Sequence, residues 1–149
     1  MKKILKLLAL LFVMGVIYYL SNQPSKDSID TTNSFINILY GVYNFILNGK
    51  GLSLDKFCEL YFDPIRKIAH FSEYGLLGIV AYINSKEYFK NRHILYSFGF
   101  SVLYAISDEI HQYFVAGRYC DIKDVLIDSC GAILAILLIH LLSKKCLKK

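Results

Sequence analysis

Four long apolar runs, separated by shorter polar segments, dominate the chain. They extend roughly from Ile4 to Leu20, Ile65 to Asn84, Ile94 to Phe114 and Val125 to Leu142. Each is close to the ~20 residues that an α-helix needs to cross the ~30 Å hydrocarbon core of a bilayer. The second and third runs contain ionisable residues, so a strict hydropathy window scores them as marginal. The pattern predicts an all-α, polytopic membrane protein with four transmembrane helices, in one domain of residues 1–149.

The first run follows a basic start, MKK, which resembles the beginning of a secretory signal. No small-residue cleavage site closes this run, which ends in the sequence YYLSNQ at residues 18–23. We therefore predict an uncleaved signal anchor, and the alternative is a signal that is cleaved.

A long polar loop, Ser21 to Pro64, separates the first two runs. Its first part, Ser21 to Ser34, is rich in Ser, Asp and Thr and is predicted to be irregular. Phe35 to Leu47 is apolar but too short to span, which predicts an amphipathic helix in the membrane interface. The alternative is a re-entrant or spanning segment. Asn48 to Gly51 breaks this helix, and Leu54 to Phe62 is predicted to be a second short surface helix.

The composition agrees with a membrane protein. Hydrophobic residues make up 55% of the chain and charged residues 19%, and the mean hydropathy is +0.41. This excludes a disordered chain, which would be poor in apolar residues. The net charge of +5 would suit nucleic acid, but the basic residues lie mainly at the ends of apolar runs. We therefore expect membrane lipids and no nucleic acid as partners.

The distribution of Lys and Arg predicts the orientation. Ten of the 17 basic residues fall in three short segments that lie on one side if the N-terminus is cytoplasmic: Lys2, Lys3, Lys6, Lys86, Lys90, Arg92, Lys144, Lys145, Lys148 and Lys149. Glu87 is the single acidic residue among the twelve that falls on that side. The positive-inside rule therefore predicts that both termini are cytoplasmic and that two loops are external.

Charged residues gather at the predicted outer ends of the second, third and fourth spans. Each span has one polar helix face: Arg66, His70 and Glu73 on the second, Asp108 and Gln112 on the third, Asp124 and Asp128 on the fourth. At ~1.5 Å per residue, His70 would lie ~7 Å and Asp108 ~9 Å below the membrane surface. Because a charge in hydrocarbon is costly, we expect these faces to converge on a cleft that opens outward.

The same residues have a purely structural interpretation. Ion pairs of Arg66 or His70 with Asp108, and of Arg118 with Asp121 or Asp124, would fix the helix packing. His70 and Glu73, with Asp108 and Asp128, could also hold a divalent cation, and no other cofactor is expected. Gly117 and Arg118 form a turn that suits an anion, because Arg grips phosphate with two hydrogen bonds. The alternative for Arg118 is an anchor at the headgroups.

Motifs of known enzyme classes are absent from the sequence. It has no H-E-x-x-H, no G-x-S-x-G, no P-loop and no dinucleotide-binding fingerprint. The four cysteines lack the spacing of a metal site, so we expect free thiols. A disulfide between Cys58 and Cys120 is the alternative.

Three sequence segments resemble the motifs of the VanZ-like family. Lys67 to Gly78, KIAHFSEYGLLG, resembles K-x-x-H-F-x-E-Y. Asp108 to Arg118, DEIHQYFVAGR, resembles D-E-x-x-Q-x-F-x-P-G-R. Asp121 to Ala132, DIKDVLIDSCGA, is similar to D-x-x-D-x-x-x-N-x-x-G. The chain departs from these motifs at Ala116, where proline is usual, and at Asp128, where asparagine is common.

The resemblance implies a cell-envelope protein of the bacterial plasma membrane, in a family named after a protein linked to resistance to the antibiotic teicoplanin. We expect a polar cleft lined by Lys67, His70, Glu73, Asp108, Glu109, Gln112, Arg118, Asp121, Asp124 and Asp128. In it, Lys67 and Arg118 would bind an anion, and His70, Glu73 and Asp108 are the candidate catalytic residues. The expected ligand is an anionic lipid or a lipid-linked cell-wall intermediate. The alternatives are a non-catalytic membrane scaffold and the transport of protons or small solutes.

Overall fold

The computed structural model of the protein describes residues 2–146. Within them it has five α-helices and no strand: α1 Lys2–Ser21, α2 Ser25–Ile46, α3 Leu54–Tyr88, α4 His93–Tyr113 and α5 Ile122–Cys146. The predicted all-α class is confirmed. Lys148 and Lys149, which the orientation prediction counts among the inner basic residues, lie outside the described residues.

Four of the helices coincide with the four apolar runs. Of the helices in the described part of the chain, two are long and apolar enough to cross a membrane, over Lys3–Ser21 and Ile122–Lys144. Their mean hydropathies are 2.2 and 2.4. The helices α3 and α4 do not meet this test, because their polar and ionisable residues lower the mean hydropathy. By length and composition, α1 and α5 are therefore the two candidate membrane spans among the described residues.

The segment between the first two runs is more helical than predicted. Since α2 begins at Ser25, the prediction that Ser21 to Ser34 is irregular is wrong for most of that stretch. The hydroxyls of Thr31, Thr32 and Ser34 donate to the carbonyl four residues earlier, at 2.8 to 2.9 Å. These side chains thus find acceptors within the helix, which removes their usual preference for turns. The predicted apolar helix is the second half of α2.

The predicted short helix from Leu54 to Phe62 is not a separate element. It forms the first turns of α3, a helix of 35 residues that continues through Pro64. A proline inside a helix leaves one carbonyl of the preceding turn, here that of Leu60, without its usual donor. The break before α3 is where it was predicted, because α2 ends at Ile46, shortly before Gly49 with its φ of 73°.

The long helix α3 lies at the centre of the bundle and packs against the other four helices. The helices α4 and α5 also pack against each other, and α1 contacts α4. One buried apolar cluster joins three of these elements: Val13 and Ile17 of α1, Tyr74 and Leu77 of α3, and Ala105 of α4. This cluster fixes α1 against the centre of the bundle.

The helices α3 and α5 pack so closely that their backbones are in contact. A Cβ atom on Gly131 would lie 2.1 Å from the carbonyl oxygen of Phe71, and one on Gly78 would lie 2.7 Å from that of Ala132. Only glycine allows this approach, which is typical of small residues at helix interfaces in membranes. The close crossing places Asp128 of α5 directly beside α3.

The two ends of the bundle differ in chemistry. At one end, here called the polar end, lie Ser21, His70, Asp108 and Asp128. At the opposite end, here called the basic end, lie Lys6, Tyr82, His93 and His140. The ammonium group of Lys6 donates a hydrogen bond to Glu87, and this bond and the positive charge lower the pKa of the Glu87 carboxyl. The pair joins α1 to the end of α3.

Candidate functional site

A cavity of about 300 Å³ opens at the polar end between α1, α2 and α3. One part of its wall is apolar: Ile17, Leu20, Phe35, Ile65 and Ala69. Another part is charged: Arg66, His70, Glu73, Asp108 and Arg118. Hydroxyl and amide groups complete the wall: Ser21, Gln23, Ser28, Thr31 and Thr32. Such a mixed lining suits a ligand that has both a charged and an apolar part.

A second cavity, of about 110 Å³, adjoins the first. The two share Ser28, Thr32, Arg66, His70 and Arg118, and the second adds Gln112, Gly117, Tyr119 and Asp124 among its lining residues. We call the two cavities together the polar cleft. Residues from α2, α3, α4, α5 and the α4–α5 loop line the second cavity, so the polar faces of the three predicted spans meet there.

Asp128 lies behind the cleft wall, where its side chain has 0% exposure. Its Oδ1 is 3.8 Å from Nδ1 of His70, and neither carboxylate oxygen has a hydrogen-bond partner. Nδ1 of His70 is also without a partner. The distance is too long for a hydrogen bond, but the two groups face each other in a buried position. His70 is therefore the basic side chain that contacts the Asp128 carboxyl group.

Asp108 and Gln112 are neighbours on α4, and both are buried. Nε2 of Gln112 donates to Oδ2 of Asp108 at 3.2 Å, so the amide orients this carboxylate. Asp108 lines the first cavity together with Glu73 and Arg118.

Glu109 and Asp121 stabilise the start of α5. Oε2 of Glu109 accepts from the backbone N–H of Asp121 at 2.9 Å, and Oδ1 of Asp121 accepts from the N–H of Lys123 at 2.9 Å. These are N–H groups at the beginning of a helix, which need acceptors from outside the helix. Neither side chain lines either cavity, so both act at the helix end.

Within residues 2–146, neither arginine of the cleft has a carboxylate oxygen within 4.0 Å. Among the residues that the structure describes, two ion pairs have a nitrogen within 4.0 Å of a carboxylate oxygen: Lys6–Glu87 and His70–Asp128. The structural ion pairs considered for Arg66 and Arg118 are therefore not formed. Burial, and next the charge of Arg66, lower the pKa of the Arg118 guanidinium. The cleft thus holds two guanidinium groups without an ion pair, although the carboxyl groups of Glu73 and Asp108 line the same cavity at longer distance.

The loop that carries Arg118 is fixed on both sides. The backbone N–H of Ser25 donates to the carbonyl of Ala116 at 3.2 Å, and Nη2 of Arg118 donates to the carbonyl of Leu20 at 3.3 Å. Gly117 has a φ of 76°, a conformation that favours glycine. The loop therefore holds the guanidinium between α1 and the start of α2.

The structure differs from the predicted cleft in its cations. Lys67 is exposed and lines neither cavity, whereas Arg66 lines both. Arg66 was detectable in the sequence, because it shares one helix face with His70 and Glu73. The hydroxyl-rich wall from α2 was missed, because the sequence does not indicate that α2 begins at Ser25 and docks against the α4–α5 loop.

A metal site has no support from the geometry of the described residues. Within residues 2–146, no group of three or more His, Cys, Asp or Glu side chains could hold a metal ion. Cys58, Cys120 and Cys130 carry free thiols, so the alternative of a Cys58–Cys120 disulfide is not realised. Arg66 and Arg118 are therefore the groups of the polar cleft that are best suited to bind a ligand.

Comparisons with known proteins identify the family. No curated protein and no solved structure matches the chain. The model of the VanZ/LLP1 family matches residues 6–143. The match includes every residue that lines the polar cleft, and it confirms the resemblance of the three sequence motifs. The chain therefore belongs to the VanZ/LLP1 family.

Proposed function

We propose that the protein crosses the bacterial plasma membrane four times, through α1, α3, α4 and α5, with both termini in the cytoplasm. In this topology the polar cleft opens outward. Two observations support it: α1 and α5 are apolar enough to span, and the basic end collects the lysines that favour the cytoplasmic side. The charged groups of α3 and α4 would then face the cleft instead of lipid, as such groups do in membrane proteins.

The polar cleft, in our proposal, binds the phosphate of an anionic lipid or of a lipid-linked cell-wall intermediate. The observation that carries the proposal is that Arg66 and Arg118 line the same cavity without a carboxylate within 4.0 Å. A guanidinium binds phosphate with two parallel hydrogen bonds, and two guanidinium groups neutralise its charge. Lys67 lies outside the cleft, so the second cation of this site is Arg66.

The apolar wall of the first cavity favours a lipid over a soluble anion. Leu20, Phe35 and Ile65 lie beside the charged residues, so one cavity contacts both a headgroup and the start of an acyl or prenyl chain. Small-molecule sites generally combine an apolar surface with a few polar groups that fix the orientation. The amphiphilic lining and the two arginines thus select the same class of ligand.

His70 and Glu73 would supply proton transfer if the protein modifies its ligand. Both line the first cavity beside Arg66 and Arg118. Asp128 faces Nδ1 of His70 from the buried side and would orient the ring. A group that exchanges protons must reach the bound ligand, and these two side chains share its cavity.

A binding experiment tests the anion site. Native mass spectrometry of the detergent-solubilised protein measures retention of phosphatidylglycerol against phosphatidylcholine. We expect Arg118→Lys and Arg66→Lys each to weaken phosphatidylglycerol binding about tenfold, because lysine cannot form the two parallel hydrogen bonds. Lys67→Gln is the matched control: it removes a charge one residue from Arg66 but outside the cleft, and should bind normally. Equal binding by all variants would exclude the arginine site.

A non-catalytic scaffold is the second candidate function. Its support is that Arg118 donates to the carbonyl of Leu20 and so joins the loop to α1. Complementation of a deletion strain, with teicoplanin sensitivity as readout, separates the two functions. A catalytic role predicts that His70→Gln and Glu73→Gln abolish complementation while phosphatidylglycerol binding persists. A scaffold predicts that both variants complement at normal protein levels in the membrane fraction.

A further inference from the structure

The basic end brings together four polar side chains that are distant in the sequence. The hydroxyl of Tyr82 lies 2.9 Å from Nδ1 of His140 and 3.3 Å from Oγ of Ser143. The ring centroid of His93 is 5.1 Å from that of Tyr82 and 5.6 Å from that of His140. We call Tyr82, His93, His140 and Ser143 the histidine cluster. It joins α3, α4 and α5 at the end of the bundle opposite the polar cleft.

Apart from Glu87, the charged groups around the histidine cluster are cations. From α3, Lys86 lies with its Nζ 5.9 Å from the Tyr82 ring centroid, and from α5, Lys144 follows His140 by one helical turn. Lys90 and Arg92 directly precede His93. Among the described residues of the basic end, the one carboxylate is that of Glu87, which is paired with Lys6 of α1. The local charge therefore favours an anion and opposes a metal cation.

The hydrogen bond of His93 determines what its other ring nitrogen can do. Nδ1 lies 3.1 Å from the carbonyl oxygen of Lys90. Because a carbonyl only accepts, Nδ1 must carry the hydrogen. In the neutral ring, Nε2 is then a bare acceptor, and in the structure this atom is buried without a partner. On protonation, Nε2 becomes a charged donor that needs an acceptor.

We propose that the histidine cluster is a second anion site, which binds a phosphate group when His93 is protonated. His93 is the first residue of α4, so the positive end of the helix dipole adds to the attraction. The phosphate comes either from a lipid headgroup on this side of the membrane or from a soluble phosphate compound. The site lies at the opposite end from the polar cleft, and it is independent of the function proposed there.

Linkage between proton and phosphate binding provides the test. The full-length protein, with ring-labelled histidines, is placed in phosphatidylcholine nanodiscs, and its imidazole signals are titrated by NMR with and without sodium phosphate. Chloride keeps the ionic strength constant. We expect phosphate to raise the midpoint of His93 by about one pH unit, which corresponds to tenfold tighter binding to the protonated form. Affinity should therefore fall as the pH rises and the ring loses its proton.

A second arm identifies the source of the phosphate. Phosphatidylglycerol nanodiscs without free phosphate offer the headgroup alone. A shift of His93 in these nanodiscs but not with sodium phosphate assigns the site to lipid, and the opposite result assigns it to a soluble compound. The absence of a shift with both probes, or an equal shift with chloride, would overturn the proposal.

Substitutions inside and outside the histidine cluster test whether the shift of His93 depends on the cluster. His140→Gln and Lys86→Gln remove one donor each, and they should at least halve the shift of His93. Lys50→Gln is the control, because this exposed lysine lies in the α2–α3 loop. Arg118→Lys should leave the His93 shift intact, since Arg118 belongs to the polar cleft. A full shift in both cluster variants would contradict the site.

Discussion

At the scale of single residues, Asp128 stands out as a fully buried carboxyl group without a hydrogen-bond partner. Its two oxygens accept no hydrogen bond, and Nδ1 of His70 lies 3.8 Å from Oδ1. A buried ionised carboxylate without donors opposes folding, because protein groups do not replace its lost hydration. A stabilising role in the folded bundle is therefore not the reason for an aspartate here.

Asp128→Asn should consequently not destabilise the protein. We expect its free energy of unfolding to equal that of the wild type or to exceed it by up to about 2 kcal/mol, because an amide of nearly the same volume never carries a charge in this buried position. Denaturant titration in detergent micelles, followed by circular dichroism, measures this. Asp63→Asn, at an exposed position of α3, is the control and should stay within about 0.5 kcal/mol. A loss above about 1 kcal/mol for Asp128→Asn would show that the charge pair with His70 stabilises the fold.

Some residues of the site could be predicted from the sequence and others could not. Helical spacing places Arg66 with His70 and Glu73, and all three line the same cavity. A motif match favours Lys67, which is exposed, because the motif records residue types and carries no information about the helix face. The partners of Asp128 depend on how closely α5 approaches α3, which no local pattern encodes.

At the scale of elements, the contact between α3 and α5 depends on two glycines. Gly131→Ala would place a Cβ 2.1 Å from the carbonyl oxygen of Phe71, and backbone cannot move away as a flexible side chain can. We expect the free energy of unfolding to fall by about 1–3 kcal/mol, as is usual for overpacking. The helices must separate, so the histidine cluster and the polar cleft should both lose affinity for their ligands.

Gly99→Ala is the matched substitution for this prediction. Gly99 also lies inside a helix, α4, but nothing lies within 4 Å of a Cβ at that position. Alanine should therefore leave stability unchanged or raise it by up to about 1 kcal/mol through its better helix propensity. The same denaturant titration compares both variants, and equal stabilities would mean that α3 and α5 do not touch at Gly131.

Some of the five helices could be predicted from the sequence, and others could not. The apolar runs predict α1, α4 and α5, whose bounds in the structure lie within a few residues of the runs. The start of α2 was missed, since Ser, Asp and Thr favour turns unless their side chains find acceptors in the helix, as Thr31 and Thr32 do. The prediction of a separate helix before Pro64 failed because the helix tolerates the loss of one hydrogen bond.

At the scale of the whole molecule, the two proposed anion sites lie at opposite ends of the bundle. Arginines line the polar cleft at one end, and protonatable histidines line the cluster at the other. Arginine keeps its charge at every physiological pH, whereas the proposed site at the histidine cluster needs a protonated His93. If the proposed topology is correct, the outer site binds constantly and the inner site responds to the pH of the cytoplasm.

That topology can be tested with three exposed positions, each kept as the single cysteine of the chain. Cys120 lies in the α4–α5 loop, Lys90→Cys lies between α3 and α4, and Cys130 lies within α5. A charged maleimide that does not cross membranes should label Cys120 on intact cells and Lys90→Cys only after permeabilisation. Cys130 should resist labelling until detergent denatures the protein, because its exposed side chain would face lipid. Ready labelling of Cys130 would exclude a membrane span in α5, and labelling of Lys90→Cys from outside would reverse the orientation.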